Sequence, residues 1–178
     1  MLFRSGPFEE KINDHWVYRF NRFNESGVVI YTFPNLGVTA NEYKISGESW
    51  AQLYPGQYCS PFPGGTYRIE SDGLHHGFGG LFLKYPALAG DTFNVAFTDT
   101  SYHLEMRVVN SISDTLTVPY GYFSSLYSYT FFDQGAPVGN VWFNNDLWIV
   151  KYESIDSLTS GTGVYVNQSY SLVSYTPH

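Results

Sequence analysis

The stretch His15-Trp16-Val17-Tyr18-Arg19-Phe20-Asn21 sets Trp16, Tyr18 and Phe20 on one side and His15, Arg19 and Asn21 on the other, with Val17 the exception. The same beat of two returns at 92–99, where Phe93, Val95 and Phe97 fall together. It returns again at 101–109, where Tyr102, Leu104, Met106 and Val108 share a side opposite His103, Glu105 and Arg107. Successive side chains of a strand point to opposite faces, so this pattern predicts antiparallel strands with one dry face and one wet face. Further strands are expected at 28–33, 42–46, 66–71, 79–85, 114–118, 123–132, 138–143, 147–154 and 164–175. Ser26-Gly27, Asp72-Gly73, Gly90-Asp91, Asp99-Thr100, Asn144-Asn145 and Ser160-Gly161 fall between the apolar runs and read as turns. No long window follows a 3.6-residue period; at most a short helix is expected near 47–54.

Many short strands point to a sandwich, a barrel or a strongly curved sheet, since without a covering helix the sheet must close on itself or pair with another to bury its aromatic face. The expected fold is all-β: a single antiparallel, strongly curved sheet or open barrel of roughly ten or more strands, with little or no helix. A chain of 178 residues suits one domain, assigned to 12–178, after a ragged segment at 1–11. Aromatic residues make up 19% of the chain and charged residues 14%, which gives the sheet its core and excludes a disordered chain. The net charge is −7 and no run of Lys or Arg occurs, so a nucleic-acid partner is not expected. Cys59 is the single cysteine, which excludes an intrachain disulfide and a multi-cysteine zinc site. No apolar run reaches the roughly 20 residues of a spanning helix. Leu2-Phe3-Arg4-Ser5 matches one reading frame of a common sequencing-adapter end, so the expected reading frame is truncated at its start and of environmental origin.

Val118-Pro119-Tyr120-Gly121 fits a tight turn, with Pro119 pre-setting φ. The strand after it is expected to place Phe123, Tyr127, Tyr129 and Phe131 on one face, and Ser124, Leu126, Ser128, Thr130 and Phe132 on the other. This segment resembles the Val-Pro-x-Gly-x-Phe hairpin of uncharacterised secreted or lipid-anchored bacterial β-proteins, some of which are thought to share the unfinished-barrel fold of lipoprotein carriers. "DHWVYRF" resembles that group's opening Trp-x-Tyr strand, and "YRIESDGL" its middle hairpin. "LKYPALAGDTF" resembles its Tyr-Pro…Gly-Asp segment, and "YSLVSY" its closing strand. "LWIVKYE" stands where the group often shows Val-Gly-Leu-Val-Lys; Trp148 replaces the glycine, so a different local backbone is expected there. The resemblance spans about residues 12 to 175 and brings no catalytic residue. It implies export to the periplasm, cell surface or medium, with a signal peptide missing from this sequence.

His75-His76 is the most metal-like pair, with Asp72 or His103 as further ligands, but adjacent strand residues diverge and zinc sites want three or four converging ligands. Neither a metal nor a cofactor is expected. No nucleophile elbow, zinc-helix motif, phosphate loop or dinucleotide fingerprint occurs. Glu48, Glu70, Asp72 and Glu105 are the carboxylates open to hydrolytic pairing, and nothing singles out two of them, so no enzyme is expected. Trp142 and Trp148 flank a turn and are expected across from each other, as a packed pair or a sugar platform. Asn24-Glu25-Ser26 and Asn167-Gln168-Ser169 match the glycosylation pattern. The expected function is an exported, non-catalytic domain binding a lipid-like or other apolar small molecule inside an open barrel. The alternative is a surface module contacting glycans or proteins. Tyr127, Tyr129, Trp142 and Trp148 are the candidate ligand-binding residues in both.

Overall fold

The computed structural model describes residues 12–55, 65–77, 80–97 and 103–178. Cys59, most of the Pro/Gly-rich loop around it, and the Asp99-Thr100 turn lie outside them. Twelve strands are formed: β1 (His15–Phe23), β2 (Val29–Ile45), β3 (Glu48–Pro55), β4 (Gly65–Glu70), β5 (Gly73–His76), β6 (Gly80–Lys84), β7 (Thr92–Phe97), β8 (His103–Val118), β9 (Gly121–Asp133), β10 (Ala136–Asn144), β11 (Trp148–Ser157) and β12 (Val164–Thr176). No helix occurs among the described residues, and so none long and apolar enough to cross a membrane.

All twelve strands belong to one antiparallel sheet, in the order β6-β5-β4-β3-β2-β1-β12-β11-β10-β9-β8-β7. Every neighbour is also a sequence neighbour except β1 and β12, whose pairing from His15↔Thr176 to Arg22↔Gln168 joins the two ends of the chain. The sheet curls into a nearly closed barrel with one unsealed seam, between β6 and β7.

Local chemistry sets the hairpins. Ser46 and Gly47 both take positive φ (52° and 87°) and link Ile45 directly to Glu48; Gln134 and Gly135 do the same (49° and 85°) between β9 and β10. Two-residue links with positive φ at both positions match the twist of paired strands. The helix expected near 47–54 is therefore β3: Ser46-Gly47 turns the chain back, and Trp50, Ala51 and Leu53 are buried along the new strand. The strands expected at 28–33 and 42–46 are one, because residues 34–41 between them continue β2. β5 was not among the expected strand ranges, although it is the returning strand of the hairpin read in "YRIESDGL". Gly73 opens it because a Cβ there would sit 2.0 Å from the Leu83 carbonyl oxygen of β6.

Trp16, Tyr18 and Phe20 of β1 point inward and are at most 5% exposed, as their alternation predicts. The interior is spanned by rings in mutual contact. Trp16 stacks on Trp148 of β11 at 5.7 Å and 26°, and Tyr67 of β4 meets the same indole edge-on at 6.5 Å. β3, β2, β1 and β12 separate β4 from β11 in the sheet, so the Tyr67–Trp148 contact crosses the barrel. Tyr67 also packs edge-on against Phe82 of β6, and Phe82 against Phe131 of β9. Each such pair contributes about 0.5–1.5 kcal/mol beyond its buried area.

β8 overturns one expectation. Its dry face was to be Tyr102, Leu104, Met106 and Val108, with Arg107 in water; instead Met106 is 38% exposed and Arg107 only 1%. Register explains the inversion. Arg107 lies between Phe93 of β7 and Phe131 of β9, on the inward row. Its guanidinium sits 4.1 Å from the Phe82 ring centre and 3.9 Å from that of Phe131. A flat, weakly hydrated cation suits such a slot between aromatic faces.

β9 departs from simple alternation too. Tyr129 and Phe131 are buried and inward, but an extra residue between Phe123 (opposite Leu116) and Leu126 (opposite Asp114) puts Phe123 on the face of Leu126, not of Tyr127. By register this is the outer face, that of Ser128 and Trp142, yet Leu126 is fully buried. The far half of the β8–β9 hairpin bends over that face. The Trp142 indole Nε1–H donates to Asp114 Oδ2 at 3.0 Å, and the Tyr120 N–H donates to the Leu172 carbonyl of β12 at 3.0 Å. Pro119-Tyr120 is thus the two-residue corner expected from Val-Pro-Tyr-Gly, and it docks on the closing strand.

Candidate functional site

The four residues singled out in sequence do not form one site. Trp148 is 1% exposed and belongs to the central ring stack. Its φ of 64° is a left-handed conformation that glycine favours and bulky residues avoid. Trp142 pairs with Lys151, whereas Trp148 pairs with Asn144, so the two indoles are not across from each other. A register shift after Trp142 and the inward turn of Trp148 separate them. The outer Trp142 ring takes the Lys151 ammonium at 5.0 Å, and Lys151 also pairs with Glu153 at 2.6 Å.

Tyr129 and Tyr127 stand at the seam. β6 is an edge strand, and two of its carbonyls are met by side chains from the far wall. Tyr129 OH donates to the Lys84 carbonyl at 2.7 Å, and Arg107 Nη1 donates to that of Phe82. Burial pulls the Arg107 guanidinium down to about 10, with Glu105 at 3.0 Å acting against that fall. Burial raises the Tyr129 phenol as well. Tyr127 is half-buried, edge-on to Tyr85 at 4.9 Å, and its phenol is raised first by burial and then by Tyr85. Of the four candidates it alone is both inward-facing and partly open to solvent.

The candidate carboxylates are each held by a cation or an imidazole. Glu48 and Glu70 both bind Arg68, Glu105 binds Arg107, and Asp72 binds His75 at 2.7 Å. Tyr67↔His76 and Arg68↔His75 are opposite pairs, so the two histidines diverge as adjacent strand residues do. His76 is buried against Tyr67 at 5.0 Å, while His75 faces out beside Glu70 and Asp72.

A feature that sequence reasoning read only as a strand lies on β2. Val28, Val29, Ile30, Tyr31 and Phe33 are 44–59% exposed. The far half of β2 pairs with β3 from Val38↔Pro55 to Ile45↔Glu48, but among the described residues the near half has only β1 beside it. The signal was present in "VVIYTF", an apolar run with no alternation. The hairpin is held firmly at its tip. Asn24 Oδ1 accepts from the N–H groups of Ser26 and Val28, and Glu25 Oε1 accepts from the Thr159 N–H at 3.1 Å, tying it to the β11–β12 connection. Among the described residues Arg19 and Arg22 of β1 make no ion pair, while Lys44, Lys84, Arg107 and Lys151 each make one and Arg68 makes two.

Comparison of the chain with protein families, with curated proteins and with solved structures returns no match.

Proposed function

We propose that this is a non-catalytic β-domain that engages a protein partner at its surface, by adding an extended segment of that partner beside the near half of β2. The observation that carries this reading is the exposed apolar run from Val28 to Phe33 on a strand with one open side among the described residues. A strand edge offers backbone donors and acceptors in register, and side chains on both faces supply selectivity. Arg19 and Arg22 favour a partner segment carrying acidic residues. Tyrosines and not indoles are exposed, at Tyr31, Tyr43, Tyr120 and Tyr122, which speaks for a protein over a sugar. Panning a displayed library of extended peptides on the protein tests this. Enriched sequences should alternate apolar residues with acids and should lose binding to a Val29→Lys/Ile30→Lys variant. Peptides that bind that variant as well as the parent would overturn the reading.

Binding of an apolar small molecule inside the barrel is the second reading. It is favoured by the seam, where Tyr127 and Tyr85 are only half-buried. Such a ligand would have to displace the Tyr67–Trp148 contact or the Arg107 slot, which is why it ranks second. Saturable displacement of a fluorescent fatty-acid probe, weakened by Tyr127→Ala, would promote it. Export belongs to the same proposal and rests on the resemblance of the hairpin motifs to those of secreted β-proteins.

A further inference from the structure

We infer that the β4–β5 hairpin is a binding site for a divalent first-row transition-metal ion, with Glu70, Asp72 and His75 as its ligands. The three ligand atoms lie within 4.8 Å of one another. Sequence spacing alone paired His75 with His76, and that pair fails because the strand sends them to opposite faces. The hairpin gathers a different set. Glu70 ends β4 and His75 lies on β5 opposite Arg68, two residues before Glu70 and so on the same face; Asp72 occupies the turn between them.

The distances suit a shared ion. Two ligands bonded at about 2.1 Å and separated by 90–110° at the metal stand about 3.0–3.4 Å apart. His75 Nε2 is 2.7 Å from Asp72 Oδ1 and 4.0 Å from Glu70 Oε2, so shifts of under about 1 Å close the set around a metal. Glu70 is already aimed. Arg68 binds its Oε1 through both Nε and Nη2, which leaves Oε2 turned toward the imidazole. Arg68 is itself held against the Trp50 ring at 4.5 Å. Supports of this kind fix a ligand's orientation in metal sites.

One imidazole and two carboxylates form a mixed nitrogen and oxygen set. It suits zinc, cobalt, nickel or manganese better than calcium, which takes six to eight oxygens. Three protein ligands leave the remaining positions to water, and Asp72 is exposed, so the ion would exchange with solvent. The positive charge of Arg68 opposes the metal, which points to affinity well short of a closed structural site. Bound there, the ion would brace the turn beside Gly73, where β5 meets β6.

Titration of the intact, chelator-treated protein with ZnCl2 by calorimetry, and with CoCl2 by visible absorption, tests this. One ion per chain is expected, together with a rise in melting temperature. His75→Ala and Glu70→Gln should each weaken binding by more than about tenfold. His15→Ala, on another strand, should leave it unchanged. All three side chains lie outside the core, so circular dichroism of the metal-free variants should match the parent. The site is refuted if no ion binds at millimolar concentration, or if His75→Ala and Glu70→Gln bind as tightly as the parent.

Discussion

The first hairpin holds two strands of similar apolar content and opposite fate. On β1, Trp16, Tyr18 and Phe20 are sealed to 5% exposure or less; on the near half of β2, directly alongside, Val29, Ile30, Tyr31 and Phe33 stand 44–59% open. The difference is not hydrophobicity. Trp16 meets Trp148, Phe20 meets Tyr170 and the Tyr18 hydroxyl donates to the Ile149 carbonyl, so each side chain finds a partner on another strand. The near half of β2 has only β1 beside it among the described residues, and Tyr31 meets Phe20 of that neighbouring strand in a tilted contact at 6.2 Å. Burial is a property of what faces a residue, and here that divides one hairpin into a structural half and an available half.

Alkali attacks the sealed interior that β1 faces most severely. Burial raises the phenols of Tyr18, Tyr67, Tyr129 and Tyr152 above their ordinary value near 10. Below that pH both states keep these protons and the stability is fully present. Above it the unfolded chain ionises first, so stability is lost as pH rises toward the folded values. Arg107 acts in the opposite sense, because its folded value is lowered to about 10, but one arginine stands against four tyrosines. Thermal melts from pH 8 to 11.5 should show Tm falling steeply beyond about pH 10. A flat profile through pH 11 would contradict the ring packing.

Trp148→Ala should cost about 3–5 kcal/mol in denaturant unfolding, the range for truncating a buried large aromatic. Tyr31→Ala on the available half should cost under about 0.5 kcal/mol. Equal costs would erase the distinction. Arg107→Met comes next, at about 2–4 kcal/mol, since it keeps the chain's bulk but removes the donors to the Phe82 carbonyl and the Glu105 carboxylate. A smaller contrast follows from the backbone. At φ 64° an alanine retains a crowded Cβ and a glycine does not, so Trp148→Gly should be more stable than Trp148→Ala by roughly 1 kcal/mol, despite its smaller side chain.

These sites show how far the sequence was legible. The all-β barrel was readable because alternation is local, and β1 carries it from His15 to Phe20 with Val17 alone out of pattern. The inward turn of Arg107 was not, because it depends on Phe82, twenty-five positions away, whose carbonyl and ring both need a cation. The bulge that moves Phe123 was invisible because nothing within β9 reports the register of β8. The Ser46-Gly47 turn was missed, because the apolar residues at 50, 51 and 53 break the period of two and suggested a short helix instead. The metal-like histidines were noticed with Asp72 beside them, while Glu70 comes near His75 only when the hairpin closes.

The faintest effect on stability is the sharpest test of the comparison. Lysine at positions 29 and 30 replaces two side chains that already stand 47% and 59% in water, so little buried area is lost. The double variant should unfold within about 0.5 kcal/mol of the parent. Its consequence should appear in association instead. Two new charges on an open strand edge repel an incoming backbone, the same device by which sheet proteins protect their edges. Static light scattering on heating to just below Tm should therefore show slower self-association than in the parent. If the variant instead loses more than about 2 kcal/mol, the run from Val28 to Phe33 is core after all. The two halves of the hairpin would then be one.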